Sequence, residues 1–247
     1  MRYIVLSLQI IYKIYYFIFF SLSLTILFPF FYFLLSDSRR FPKAFILMRL
    51  HAFSLLLFAG VFMKIKGISN IPKNGAYIIC PNHSSFFDTF CLYSIFSRYF
   101  VFIGKKEIEK WPLFHIFYTS GMNILVDRQN PVKSINALRK MCTEIDKGHP
   151  LAIFPEGTIS KEAPKLGPFK SGAFAIAIQK QVPILPVTFV TNYKLLERGG
   201  IWKGRARPGI AEIIIHKPIN TVGLNKKSIN KLQMDVMAII DAPLLVS

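Results

Sequence analysis

From Ile14 to Ser36 the chain reads IYYFIFFSLSLTILFPFFYFLLS, 23 side chains with no charge among them. Wound as a helix, such a run crosses a hydrocarbon core of about 30 Å. It is too long for the apolar part of a secretory signal, and no small-residue cleavage site follows it. A second stretch, Ala44 to Met63, is apolar apart from Arg49 and His51. Three arrangements suit it: a second span, a re-entrant helix, or an interfacial helix whose basic residue snorkels to water. The two stretches together are read as a membrane-embedded helical hairpin, with Pro29 permitting a kink. Arg2 and Lys13 precede the first run and Arg39, Arg40 and Lys43 follow it, so the positive-inside rule gives no orientation.

Beyond Met63 the texture changes to short apolar runs alternating with segments of helical length. Strands are expected at Ala76–Cys80, Tyr99–Ile103, Met122–Val126, Leu151–Phe154, Ile184–Phe189 and Glu212–His216. Helices are expected at Phe86–Ser97, Lys105–Thr119, Pro131–Lys147, Ser171–Gln179 and Lys227–Ile240. Within the third of these, Val132, Ile135, Leu138, Met141, Cys142 and Ile145 recur at helical spacing, between Pro131 at the start and Gly148 at the stop. The irregular, basic segment Thr191–Gly209 reads as a surface loop. This alternation predicts an α/β fold, a mostly parallel sheet flanked by helices, over residues 64–247, preceded by anchoring helices over residues 1–63.

The balance of 31 Lys+Arg against 13 Asp+Glu gives a formal net charge of +18, which calls for an anionic partner. Nucleic acid and anionic lipid both qualify, and the apolar N-terminus favours lipid over nucleic acid. Each basic residue near such a surface adds roughly 1 kcal/mol of adhesion. Cys80, Cys91 and Cys142 are odd in number and show no paired spacing, which argues against a disulfide framework or a zinc site. Core thiols in a reducing, cytoplasm-facing domain fit them. Neither GxGxxG nor GxxxxGK[ST] occurs, removing the usual nucleotide-binding readings.

In open α/β sheets, ligands collect at the carboxyl ends of strands. Two segments occupy such ends: Pro81 to Asp88, PNHSSFFD, and Phe154 to Thr158, FPEGT. In a continuous helix a five-residue step leaves His83 and Asp88 roughly 140° apart. If His83 sits in the turn and a helix starts at Ser84 or Ser85, either of which suits an N-cap, the carboxylate reaches back to the imidazole. An imidazole held at Nδ1 keeps its other nitrogen as a base. Spacing alone leaves this catalytic reading beside a purely structural hydrogen-bonded pair. Ser84 and Ser85 lack the surroundings of a GxSxG elbow, so the nucleophile is read as a substrate hydroxyl. His51, His115, His149 and His216 show no metal-ligand spacing to His83.

Four blocks in order resemble the glycerolipid acyltransferases, and among them the bacterial 1-acyl-glycerol-3-phosphate (lysophosphatidic acid) acyltransferases. Asn82 to Asp88 resembles the family's Asn-His-x-x-x-x-Asp, Gly121 to Arg128 its second block, Phe154 to Ser160 its third, and Val182 to Val187 its proline-containing strand. The resemblance covers roughly residues 64 to 219. It implies His83 and Asp88 as the catalytic pair, with Lys105, Arg128, Glu156, Gly157, Thr158 and Lys170 as substrate-binding residues. The third block usually reads Phe-Pro-Glu-Gly-Thr-Arg-Ser, and here Ile159 stands at the arginine position. The charge for a phosphate must then come from elsewhere, with Lys105, Lys161, Arg128 and Lys170 nearest by motif. Trp111, Phe114, Phe117 and Tyr118 are open to two readings, an acyl tunnel or core packing.

The implied chemistry is acyl transfer from a thioester, acyl-CoA or acyl carrier protein, to a lysophospholipid hydroxyl, with no cofactor, no metal and no acyl-enzyme. It implies an inner-membrane location with the catalytic domain facing the cytoplasm. A lyso-aminolipid acceptor is a runner-up that Ile159 motivates, and a non-enzymatic anionic-lipid-binding protein is an alternative from a different class.

Overall fold

A computed structural model of the chain describes residues 2–107, 113–127 and 129–246, without the side chains of residues 2–5 and 131. Helix α1 (Arg2–Leu35) runs through Pro29. A short turn over Ser38–Arg40 leads into α2 (Phe41–Phe58), and the two helices pack as a hairpin. Tyr12 donates its hydroxyl to the Ala59 carbonyl at 2.7 Å, and Phe19 stacks on Phe58, which fixes the antiparallel pairing. Both helices are long and apolar enough to cross a membrane. Helix α1 turns Tyr16, Leu24, Phe31 and Leu35 inward, at spacings of two turns and then one, while Ile11, Ile18, Leu22 and Ile26 remain exposed. Arg49 does not snorkel: its Nε donates to the Tyr93 carbonyl in α3 (Phe87–Ile95), so α2 is tied to the domain it precedes.

Gly60, at a φ of 63°, ends the α2 segment, as a left-handed residue does after a helix. The chain then enters a strand absent from the sequence expectation, β1 (Val61–Lys66). Its first three residues, Val61, Phe62 and Met63, had merged with the preceding apolar stretch. The other strands are β2 (Ile78–Pro81), β3 (Val101–Lys105), β4 (Ile124–Val126), β5 (Leu151–Ala152), β6 (Ile184–Phe189) and β7 (Gly209–Ile215). They form one sheet in the order β1-β7-β6-β2-β5-β3-β4, parallel throughout except for the antiparallel β6–β7 pair.

The central strand β2 is buried on both faces, as expected for a parallel sheet covered by helices. Ile79 faces the cluster that includes α1, α2 and α3, while Ile78 and Cys80 face α5 (Pro131–Asp146), α6 (Gly172–Lys180) and α9 (Ile229–Asp241). Cys80 and Cys91 are buried free thiols, and Cys142 is half-buried. The helix expected over Lys105–Thr119 is not formed as such. Lys105 closes β3, and helix α4 covers only Ile116–Thr119, with residues 108–112 outside the described set. The segment expected to be a surface loop contains two helical turns, α7 (Asn192–Leu195) and α8 (Gly200–Lys203). Asn192 in it is fully buried.

Candidate active site

Three neighbouring parallel strands, β6, β2 and β5, end at one edge of the sheet, and each delivers a polar side chain there. Strand β2 leads into Asn82 and His83, β5 into Glu156, and β6 into Asn192. Asn82 extends the β2–β6 pairing by one residue: its Oδ1 accepts from Phe189 N at 2.7 Å, and its Nδ2 donates to Phe189 O at 3.2 Å. His83 therefore leaves the sheet in a fixed direction.

Of the two serines, Ser85 caps α3: its Oγ accepts from Phe87 N at 3.2 Å. Phe86, between Ser85 and the first helical residue, makes no side-chain bond there. The amides of Ser84 and Ser85 go to Asp88, in the first helical turn, where a carboxylate is also favoured by the helix dipole. Its Oδ2 accepts from Ser84 N at 2.6 Å, from Ser85 N at 2.8 Å and from His83 Nδ1 at 3.0 Å. Its Oδ1 accepts from Asn192 Nδ2 at 2.8 Å. Asp88 is completely buried. Every other partner of the carboxylate is a donor, so it takes the accepting role toward the imidazole as well. Nδ1 then carries the hydrogen, and Nε2 presents a lone pair. The His83 side chain is 16% exposed, enough for Nε2 to meet a substrate.

The far side of the ring lies flat against Phe154, centroids 3.9 Å apart. Glu156 holds the backbone beneath it. Its Oε1 accepts from His83 N and its Oε2 from Gly167 N, both at 2.7 Å, and Ser160 N donates to His83 O at 2.8 Å. Burial pushes the Glu156 carboxyl above its ordinary value, against these two amides, which pull it down. A raised carboxyl stabilises the fold at low pH and loses that contribution as pH rises through its folded value. Gly167 allows the glutamate in: a Cβ there would stand 2.9 Å from Oε2. Gly167→Ala is expected to displace Glu156, release the His83 amide and lower turnover on the order of 10²-fold while the domain stays folded. Steady-state kinetics beside a thermal melt checks this.

The other residues implied by the motifs are less concentrated. Gly157 makes the turn after Glu156 at a φ of 68°, and Thr158 is exposed beyond it. Lys170 is exposed, with its backbone N–H on the Pro155 carbonyl at 2.9 Å. Lys105 stands at the end of β3, paired with Glu107 at 3.1 Å. Asp127 pairs with Lys106 at 2.7 Å. Arg128 lies outside the described residues, as does Trp111. Phe114, Phe117 and Tyr118 line an apolar cavity of about 90 Å³ between α1, α2, α3 and β3. Phe102 connects it to the site, in edge contact with Phe154 at 5.7 Å. Its wall also carries polar groups, among them Thr89, Asn123 and His51, whose Nε2 is bonded to Ser23 Oγ at 2.9 Å.

An acyltransferase family model matches residues 62–190, just over half of the chain, with the His83–Asp88 turn and Glu156 inside it. The chain belongs to the acyltransferase family. Relatives carry a more specific description. Over 164 residues the chain is 34% identical to a 1-acyl-sn-glycerol-3-phosphate acyltransferase of Helicobacter pylori, covering 64% of this chain and 68% of that one. Over 156 residues it is 34% identical to a chloroplastic 1-acyl-sn-glycerol-3-phosphate acyltransferase of Brassica napus, covering 63% and 44%. The chain spans about half the length of the plant relatives it matches. In fold it is similar to the crystal structure of the 1-acyl-sn-glycerophosphate acyltransferase PlsC from Thermotoga maritima, with a TM-score of 0.79 at 22% identity over 99% of this chain and 96% of that one.

Within this acyltransferase-family chain, sequence reasoning missed the third wall of the site. Asn192 binds Asp88, and Ser85 donates its hydroxyl to the Leu196 carbonyl at 2.8 Å. Both contacts join positions more than 100 residues apart, and no local pattern marks them. The only signal was the end of β6, which the carboxyl-edge rule singles out.

Proposed function

We propose that this chain transfers an acyl group from a thioester, acyl-CoA or acyl carrier protein, to the free hydroxyl of a 1-acyl-glycerol-3-phosphate at a membrane surface, giving phosphatidic acid. The observation that carries the reading is the orientation of His83: Nδ1 is held on the buried Asp88, which leaves Nε2 as the base, and the side chain keeps 16% exposure. The acceptor hydroxyl gives its proton to Nε2, and Asp88 stabilises the imidazolium that forms. The alkoxide adds to the thioester carbonyl. The tetrahedral intermediate collapses, its C–S bond breaks, and the thiolate takes the proton back from His83. General-base help of this kind is worth about 10²–10⁴-fold. Family membership supports acyl transfer, and the relatives' descriptions support this acceptor.

The cavity beside Phe102 would take the donor's acyl chain, because it is apolar and adjoins the ring stacked on His83. Ala52 in its wall is buried. Ala52→Leu is expected to shift preference toward shorter acyl donors, read in competition among thioesters of graded length. The apolar faces of α1 and α2, with the net charge of +18, would seat the site on an anionic leaflet, in this reading the cytoplasmic face of the inner membrane. Ile159, where an arginine is usual in the family, keeps a lyso-aminolipid acceptor as a second reading. Thiol release from purified protein in detergent, across phosphate-bearing and amino-bearing lyso-acceptors, decides between them. The first reading expects the phosphate acceptor to win, and equal rates on acceptors without phosphate would defeat it.

A further inference from the structure

We propose that the guanidinium of Arg198 holds the phosphate of the acyl acceptor, a role that rests on reading that acceptor as a 1-acyl-glycerol-3-phosphate. A phosphomonoester at the mouth of this site needs a cation that is placed there and not already neutralised. Several basic residues near the site fail the second condition: Lys105 sits on Glu107, Lys106 on Asp127, Lys165 on Glu162 and Arg205 on Glu197. Arg198 meets both. Its Nη1 donates to the Ile159 carbonyl at 2.8 Å, and among the described residues no carboxylate forms an ion pair with it. One of five N–H donors is used on a neutral oxygen, which leaves a planar fork suited to two phosphate oxygens.

The placement follows from how its segment is tied down. Ile159 immediately precedes Ser160, whose amide is bonded to the His83 carbonyl. Two residues before Arg198, the Leu196 carbonyl accepts the Ser85 hydroxyl, and Asn192 reaches Asp88. The segment is thus fastened to the catalytic turn from β6 to Arg198 itself. Behind Arg198 the loop is closed by Glu197, which takes Arg205 N at 3.0 Å and pairs with its guanidinium at 2.6 Å. Lys13 of α1 donates to the Gly200 and Gly204 carbonyls and braces the loop from the anchor side. The guanidinium therefore comes from a distant segment to position 159, where the side chain itself is an uncharged isoleucine.

The test compares kcat/KM for 1-acyl-glycerol-3-phosphate with that for 1-acyl-glycerol, in wild type, Arg198→Ala, Arg198→Lys and Lys161→Ala. If Arg198 holds the phosphate, wild type favours the phosphate acceptor. Arg198→Ala then loses that preference by about 10- to 150-fold, the span expected for hydrogen bonds to a charged group. The loss falls mainly on KM, as for binding made equally in ground and transition states. Arg198→Lys recovers part of it, and Lys161→Ala keeps it. A preference undiminished in Arg198→Ala, or lost only in Lys161→Ala, overturns the assignment while leaving the acceptor intact. A wild type indifferent to the phosphate overturns the acceptor reading and the assignment together. Thermal melts of each variant separate a binding loss from a folding loss.

Discussion

Replacing His83 with alanine lowers acyl transfer by about 10²–10⁴-fold, the usual worth of a positioned general base, and leaves the melting temperature near that of wild type. The separation is expected because the residue's structural contacts are made by its backbone. Its N–H goes to Glu156 and its C=O takes Ser160 N, and alanine retains both. The ring gives up only its stack on Phe154 and its bond to Asp88, at a partly exposed position. Thiol release with a saturating lyso-acceptor, alongside a melt, measures the two effects. Undiminished turnover would mean that Nε2 is not the base, and the acyl-transfer mechanism would lose its first step.

The elements on which this chemistry stands were readable because they obey local rules. Apolar runs of five or six residues between turn signals gave β6 to the residue and β2 within two residues at its start, and the polar segments after β2 and β5 fall on the carboxyl edge that binds ligands. What failed did so for identifiable reasons. Strand β1 was lost because Val61, Phe62 and Met63 continue the composition of α2, and only the left-handed Gly60 separates them. Lys105 was drawn into a helix because its charge resembles a helical surface, whereas pairing with β4 keeps it in β3. The Thr191–Gly209 segment looked like a solvated loop, since its lysines and arginines dominate its composition. Its function in the fold rests on Asn192, Leu196 and Arg198, each engaging a partner far away in sequence. Contacts of that kind carry no period and no spacing.

Asp88 offers the sharper division between holding the fold and running the reaction, because two substitutions should part the roles. Asp88→Ala removes the acceptor of Ser84 N, Ser85 N and Asn192 Nδ2, all buried. An unsatisfied buried donor costs about 1–3 kcal/mol, so the loss is at least about 3 kcal/mol, a large part of a domain's stability. Asp88→Asn keeps an oxygen for the two turn amides and the imidazole, but turns an NH2 group toward Asn192. The clash is relieved at once if Asn192 rotates its amide, because its Oδ1 is buried and has no partner among the described residues. The amide variant should therefore melt close to wild type. It cannot supply the negative charge that stabilises the imidazolium, so kcat should fall about 10- to 150-fold, in line with 1.5–3 kcal/mol for a hydrogen bond to a charged group. Full activity in Asp88→Asn would reduce the carboxylate to a brace for the turn. An Asp88→Ala protein as stable as wild type would show that the turn is held by something other than this cradle.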